Sequence, residues 1–526
     1  MSCAIGIDLG FTQSHVAWLE NDKLVMIPIY PGQYTMPSVI AFTDSKCLFG
    51  EEALMQMDLN PANTIYGLKR ILGRQPCNQT PAQDGHRAFQ LMDIEGTSFV
   101  KIQCRNENRL VSPQQIISLF LLKLKNIAEE HLGRMVTHVV LAVPGHFTDM
   151  QRRLTKEAGL IAGFKEVSLM NDVTALAYGV ENVKDGETKQ ALIFDLGGGK
   201  FCASVVEFDL NIVEVKCISG NSQLGGNEYT EQLMEAILSR FRDSHPQLQS
   251  ATVDVHALWR LWNECEKIKL NLNCAKEVRA YLEDFAENVD LDIVIDQELF
   301  LRNTEMFWKR LVTCVEDALH GANCKADDID EVILVGGATH MPRIVQGVTT
   351  LFPGAVIHRP MNATELVVAG AAMQSARIYD MWPVGDLSDW AILDCVPRSV
   401  GLCLFDTLMI PVIARGSVIP SENHVCRTTI CDNQKSLQIT LYEGEEQNTE
   451  DSGHHLLGRV VIPIINPKPQ GSVRVDFKFT VDRDGILTVT AMQHLKDGVV
   501  SVAITDGISN AGETLNDLKS ECAKLV

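Results

Sequence analysis

Two stretches of the chain follow one plan. "AIGIDLGFTQSHVAW" (4–18) and "ALIFDLGGGKFCASVV" (191–206) each run from an apolar strand through Asp-Leu-Gly and a tight turn into a second strand. The repeat predicts an internal duplication. A glycine-rich turn lets backbone N–H groups approach a phosphate with no Cβ in the way, so two such turns facing each other can clasp a polyphosphate from both sides. Asp8 and Asp195 are then the candidate Mg²⁺ ligands, directly or through water. Taken singly, each turn reads more readily as a β-hairpin whose glycines supply positive φ. A third segment shifts the balance: "EVILVGGATHMPRI" (331–344) is another buried strand ending in Gly-Gly before a helical start, where backbone can lie flat against a base or ribose.

Across the first 380 or so residues, short Val- and Ile-rich runs alternate with longer amphipathic stretches, the pattern of an α/β architecture. Ser112-Pro113 announces a helix that runs through "QQIISLFLLKLKNIAEEHL" and stops at Gly133. "THVVLAV" is a strand ending at Pro144, and the next helix opens with Thr148 and Gln151 at capping-box spacing. The pattern changes near Tyr379. After "DMWPVGDLSDWAILD" come short alternating strands, with Asp484-Gly485 marking a hairpin turn. The divisions expected are an internally duplicated α/β domain at 1–382, a linker at 383–395, a β-sandwich at 396–510 and a tail at 511–526. The tail, "AGETLNDLKSECAKLV", has room for one short helix and no further domain.

At 526 residues and 46% hydrophobic, with a mean hydropathy of +0.03, the chain has apolar material for several cores. A net charge of −21 and no basic patch argue against direct binding of nucleic acid or anionic lipid. The 15 cysteines form no CxxC pairs, which points to buried thiols in a reducing cytosol or nucleus rather than disulfides or structural zinc. "MSCAIGIDLG" has no basic leader, and no apolar run is long enough to span a membrane.

The three glycine segments, in this order and separation, resemble the seventy-kilodalton heat-shock chaperone family and its actin-like ATPase relatives. Further landmarks are "NTIYGLKRILGR", "AVPGHFTDMQRRLTKEAGLIAGF", "GNSQLGGNEYTEQL" and "ECEKIKLNL", followed in the β-region by "DNQKSLQITLYEGE", "LLGRVVIP" and "FTVDRDGILTVTA". The resemblance implies ATP/ADP with Mg²⁺ as cofactors. It makes Asp8 and Asp195 the metal-facing carboxylates and Lys69 the group that positions water and neutralises γ-phosphate charge. Asp172 matches a glutamate that organises water and metal. Phosphate, ribose and base contacts fall to Gly10, Phe11, Thr12, Gly197, Gly198, Gly199, Lys200, Gly225, Gly226, Glu266, Lys269, Gly336, Gly337, Ala338 and His340.

Some positions depart from the family. Phe11 and Lys200 replace threonines in the two phosphate turns, Cys202 stands where an aspartate is usual, Leu270 and His340 replace arginines at the base, and Thr364 replaces an aspartate. Lys200 has two readings: a cation that offsets γ-phosphate charge, or a stem packed along the turn with its ammonium in solvent.

In the β-region the resemblance implies an extended apolar peptide held through backbone bonds, with Leu402, Leu404, Phe405, Ile430, Leu437 and Ile439 at or beside its pocket. Each of these is equally a residue of the sandwich core. Arg427 replaces a large pocket aromatic. The helical lid of typical members is absent from the sequence, which resembles the branch that pairs with J-proteins and assists nascent chains at ribosomes. The implied partners are a J-domain co-chaperone, a nucleotide-exchange factor, unfolded or nascent polypeptides and the ribosome. Two functions follow: an ATP-driven chaperone with weak ATPase activity, or an ATP-binding, hydrolysis-poor scaffold for a J-protein. A sugar kinase of the same superfamily does not account for the linker and β-region.

Overall fold

Runs such as "AIGIDL" and "ALIFDL", apolar on both faces, suit strands buried between helices, and they become the centres of two sheets. The computed structural model describes residues 3–20, 23–73, 88–94, 97–104, 107–179, 188–209, 212–248, 253–272, 275–298, 302, 304–360, 364–379, 391–404, 407–445, 454–495, 498–503 and 515–525. In the first sheet, β1 (Cys3–Leu9), β2 (Gln13–Glu20), β3 (Lys23–Met26), β4 (Val136–Val143) and β5 (Glu166–Asn171) stand in the order β5-β4-β1-β2-β3, and Thr35–Pro37 also pairs with β2. β1 is parallel to β4 and antiparallel to β2.

The second sheet comprises β6 (Lys189–Leu196), β7 (Phe201–Asp209), β8 (Ile212–Asn221), β9 (Glu331–Val335), β10 (Val356–His358) and β11 (Ala391–Leu393), in the order β10-β9-β6-β7-β8-β11. β6 is parallel to β9 and antiparallel to β7. Each Asp-Leu-Gly turn therefore leaves the end of a central strand whose other neighbour is parallel.

The helices that matter for the site are α1 (Leu68–Ile71), α2 (Pro113–Leu132), α3 (Asp149–Ile161), α4 (Asp172–Gly179), α5 (Gly226–Ser244), α6 (Val255–Asn271), α7 (Leu366–Ile378) and α8 (Leu515–Leu525). α2 and α3 open on the capping boxes expected at Ser112/Gln115 and Thr148/Gln151, and α2 stops at Gly133 with φ 62°. α7 is rich in small residues, which lets backbone approach backbone: a Cβ at Gly6 would strike Ala371 and Ala372, and one at Gly370 would strike Ala175 on α4.

The C-terminal part forms two four-stranded antiparallel sheets. β12 (Val400–Leu404), β13 (Leu408–Ile413), β15 (Ser436–Glu443) and β16 (His455–Pro463) stand in the order β13-β12-β15-β16; β14 (Ser421–Thr428), β17 (Arg474–Val481), β18 (Leu487–Leu495) and β19 (Gly498–Ala503) run β14-β17-β18-β19. Alternation does the sorting, since Val475, Phe477, Phe479 and Val481 point into one shared core with Leu402, Leu437, Ile439 and Leu441. The Asp484-Gly485 turn joins β17 to β18, with Gly485 at φ 73°.

This unit is seated on the α/β part. β11 adds to β8 in parallel, and the following Asp394 accepts from Asn171 Nδ2 (2.8 Å) and Thr174 Oγ1 (2.6 Å). Asp484 accepts from Leu169 N–H (2.8 Å) and pairs with Lys156; Asp149 accepts from Leu487 N–H (2.7 Å). Arg415 forks onto Asp317 (2.8 and 3.0 Å). The tail forms the one helix expected of it, and α8 returns to the first half of the chain. Leu518, Cys522 and Leu525 enter the first core, and Gln115 donates to Glu521 (2.9 Å).

Candidate functional site

β1 and β6 deliver Asp8 and Asp195 to the same end of their sheets, and the turns beyond them face each other. A Cβ at Gly199 would fall inside the Phe11 ring, and one at Gly198 would meet Thr12. Phe11 thus lies against the second turn and beside Gly67, with the Arg70 guanidinium 4.6 Å above its ring. Arg70, on α1, also crosses to the other half: it donates to Gly199 O (2.7 Å) and Ser222 O (2.8 Å) and pairs with Glu228.

Gly225 caps α5, packed so closely on the second turn that a Cβ would lie 2.7 Å from the backbone of residues 198–200. Gly226 N–H donates to Gly197 O (2.9 Å) and Asn227 N–H to Gly198 O (2.7 Å). Gly336 adopts φ 87° against Leu196, whereas a Cβ on Gly337 would meet nothing within 4 Å. Ala338 and His340 follow in the same short turn, where His340 Nδ1 lies 3.4 Å from Arg359. Lys269 Nζ ties the α6 end of the site to α5, donating to Gly226 O (3.1 Å), Thr230 (2.9 Å) and Glu266 (2.7 Å). The open face at Gly337 and the glycine turns fit a nucleotide: flat surface for a base or ribose, and turn backbone with no Cβ in the way of a phosphate.

The charged centre is more particular. Lys200 Nζ reaches back between Asp195 (2.6 Å) and Asp172, with which it also pairs. Its ammonium is turned inward, against the reading that placed it in solvent. Asp172 opens α4 and is fixed by Gly145 N–H (3.2 Å) and Val173 N–H (2.8 Å) on its other oxygen. Lys69 donates to Ala142 O (3.2 Å); burial lowers its pKa, opposed by the charges of Asp8 and Asp195. Burial, then the nearby Asp8 charge, raises the Asp195 carboxyl, while Lys69 opposes the shift. Burial likewise pushes Lys200 down. Cys202 pairs with Asp195 across β6 and β7, and burial lifts its thiol to about 11. Of the two expected metal carboxylates, Asp195 is therefore already engaged by a cation. Among the described residues no group of three or more His, Cys, Asp or Glu is arranged to hold a metal.

Residues 4–524 match the family model described as Hsp70 protein. The chain belongs to the Hsp70 family. It is 33% identical over 509 residues to "Heat shock 70 kDa protein 2" of Paracoccidioides lutzii, covering 96% of this chain and 77% of that protein. It is likewise 33% identical over 508 residues to a ribosome-associated molecular chaperone of Zygosaccharomyces rouxii, covering 96% and 82%. The ribosome-associated molecular chaperone of Candida glabrata is 32% identical over 508 residues, with the same coverage. Hsp70 proteins bind nucleotide, and the multidomain α/β fold described above fits that of their actin-like ATPase.

In this Hsp70 the candidate peptide residues are scattered. Leu402, Leu437 and Ile439 are buried in the shared core, while Ile430 is 77% exposed. Leu404 ends β12, and Phe405 lies outside the described residues. Arg427 turns back on its own strand, donating to Cys426 O (3.0 Å).

Two features of this Hsp70 escaped the sequence reading: the Arg70 bridge and an aromatic row across the cleft mouth. In that row Phe89, Tyr66, Trp259 and Trp262 follow one another at ring distances of 5.5, 6.2 and 6.5 Å. It borders a cavity of about 1360 Å³ that reaches from Phe11 and Glu266 to His146 and Arg398. On α6, Val255, Leu258, Trp259, Trp262 and Glu266 recur at helical spacing, a signal available in the sequence. Among the described residues no helix is long and apolar enough to cross a membrane.

Proposed function

We propose that this Hsp70 is a nucleotide-driven chaperone that binds ATP or ADP between two duplicated lobes, one on each α/β sheet, and uses the nucleotide to control polypeptide binding by the C-terminal β-sandwich. The observation that carries this reading is the convergence of both Asp-Leu-Gly turns, Gly225-Gly226 and the open face at Gly337 on one cleft. Backbone N–H groups of the two turns would hold phosphates, with Lys69 supplying charge. Mg²⁺, when bound with the nucleotide, would neutralise phosphate charge, with Asp8 as the carboxylate proposed to face it. Phe11 brings no hydroxyl to the turn and Asp172 is tied to Lys200, so we infer weak ATP hydrolysis.

The proposed divisions are the ATPase domain at 1–382, the linker at 383–395, the sandwich at 396–510 and the tail at 511–526. Coupling would run through Asp394, because its partners Asn171 and Thr174 flank Asp172, a member of the charged centre. The clients proposed are unfolded or nascent polypeptides, the partners a J-domain co-chaperone and an exchange factor. Association with the ribosome in the cytosol is suggested by the relatives named for it. Calorimetric titration of the full chain with Mg·ATP tests the reading: binding heat and a raised melting temperature are expected, and neither at millimolar ATP would refute it.

A further inference from the structure

Resting on that nucleotide reading, we propose that Lys200 is a built-in cation of the site: it supplies in cis part of the positive charge that a divalent metal would bring to the phosphates, so that nucleotide binding depends only weakly on free metal. The argument begins with position. Lys200 closes the second phosphate turn, where Gly197 N–H donates to Lys200 O (3.1 Å), so its stem starts at the backbone that would face the phosphates. Its ammonium then lies between Asp195 (2.6 Å) and Asp172, carboxylates contributed by β6 and α4.

Charge and donor count follow. The centre holds three carboxylates, Asp8, Asp172 and Asp195, against two ammonium groups, Lys69 and Lys200. Without Lys200, Asp172 and Asp195 would face each other with Lys69 as the remaining cation, and a polyanion entering would need an external one. An ammonium carries three donors. Two are spent on Asp195 and Asp172, leaving one for a phosphate oxygen. A hydrated dication approaching the same gap meets the lysine's charge at short range, in a buried place where screening by solvent is weak. The side chain is only 20% exposed, so its charge acts on the site rather than on bulk water. Lysine suits this role because its charge is compact and carried on a flexible stem, which can follow a ligand without breaking both ion pairs.

The test is calorimetric ATP titration of the full chain in Mg²⁺ and in excess EDTA, for the natural protein and Lys200→Met, with thermal melts confirming that the variant is folded. The ratio of the two dissociation constants is the readout. For the natural protein, chelation is expected to weaken binding by less than about tenfold, and for Lys200→Met by at least about a hundredfold. If the natural protein itself loses about a hundredfold on chelation, Lys200 does not act as the site's cation, and this result does not depend on the variant folding. Equal ratios in the two proteins would overturn the proposal as well. Absence of ATP binding by the natural protein even in Mg²⁺ would instead refute the nucleotide reading on which it rests, and the two failures are thereby distinguished.

Discussion

Glu443 sits at the seam between the two-sheet unit and the start of α3, where Asp149 N–H donates to it (3.3 Å). Burial lifts its carboxyl to about 7, with the Asp149 charge adding and Arg398 and Arg152 opposing. Between the unfolded value of 4.5 and about 7, the native state keeps a proton that the unfolded chain has lost. Stability therefore falls as pH rises through that window, by up to roughly 3 kcal/mol at full effect. Glu443→Gln removes the penalty. Melting curves from pH 4 to 8 should show the variant no more stable than the natural protein at pH 4 and several degrees more stable at pH 8. A gap independent of pH would refute the assignment. His455 has the opposite sign: burial, then Arg398 and His454, lowers it from 6.5 to about 4, so its contribution is intact above 6.5 and is lost as pH falls toward 4. The two groups offset each other in the natural protein between about 4.5 and 6.5, and removing Glu443 exposes the histidine's acid limb.

Among the elements, α2 and α3 owe their start points to side chains three residues apart. Ser112→Ala or Thr148→Ala should each cost about 1 kcal/mol in denaturant unfolding, within a range of roughly 0.5–2; no change in midpoint would mean that the cap is redundant. The aromatic row is a contact between the two halves of the α/β part, since Trp259 joins Tyr66 in a small cluster with Val39, Leu48 and Met57. Trp259→Ala should loosen the cleft mouth and speed release of a fluorescent ADP analogue by about tenfold, equivalent to ~1.4 kcal/mol of lost contact. An unchanged release rate in stopped flow would show that the row does not gate the cleft.

These elements also mark how far sequence reading extends. Caps, strand ends and the hairpin at Asp484-Gly485 are written within a few adjacent residues, so they were legible. So were the glycine turns, because only their residue types are needed to see them. The engagement of Lys200 was not, since Asp172 lies 28 residues away and comes into reach only through the pairing of β6 with β7 and the placement of α4. The candidate peptide residues show the same limit, because alternation marks Leu437 and Ile439 as facing inward without telling a core from a pocket.

For the molecule as a whole, the two-sheet unit is held at separate points: β11 on β8, Asp484 on α3 and β5, and Arg415 on Asp317. Arg415 also donates to Ile218 O (2.8 Å), and its bond to Asp317 raises its pKa against the cost of burial. Arg415→Ala should cost about 1 kcal/mol of docking, because Asp317 is half exposed and its ion pair is screened. That shifts the docked-to-undocked ratio about fivefold, and the larger radius of gyration of the undocked form should be visible by small-angle scattering. Superimposable curves would show that the remaining contacts suffice.

The return of α8 to the N-terminal core has a consequence for synthesis. Ser118 and Cys522, 3.3 Å apart, are separated by 404 residues. At about 5–20 residues per second a ribosome needs roughly 20–80 s to cover that distance. Until then the groove between α2 and α3 that receives Leu518, Cys522 and Leu525 stays uncovered, although the part of that core from Cys3 to Leu169 has long since been translated. For that interval the growing chain displays an apolar surface of the kind that chaperones bind, and its first half must wait for α8 to be made.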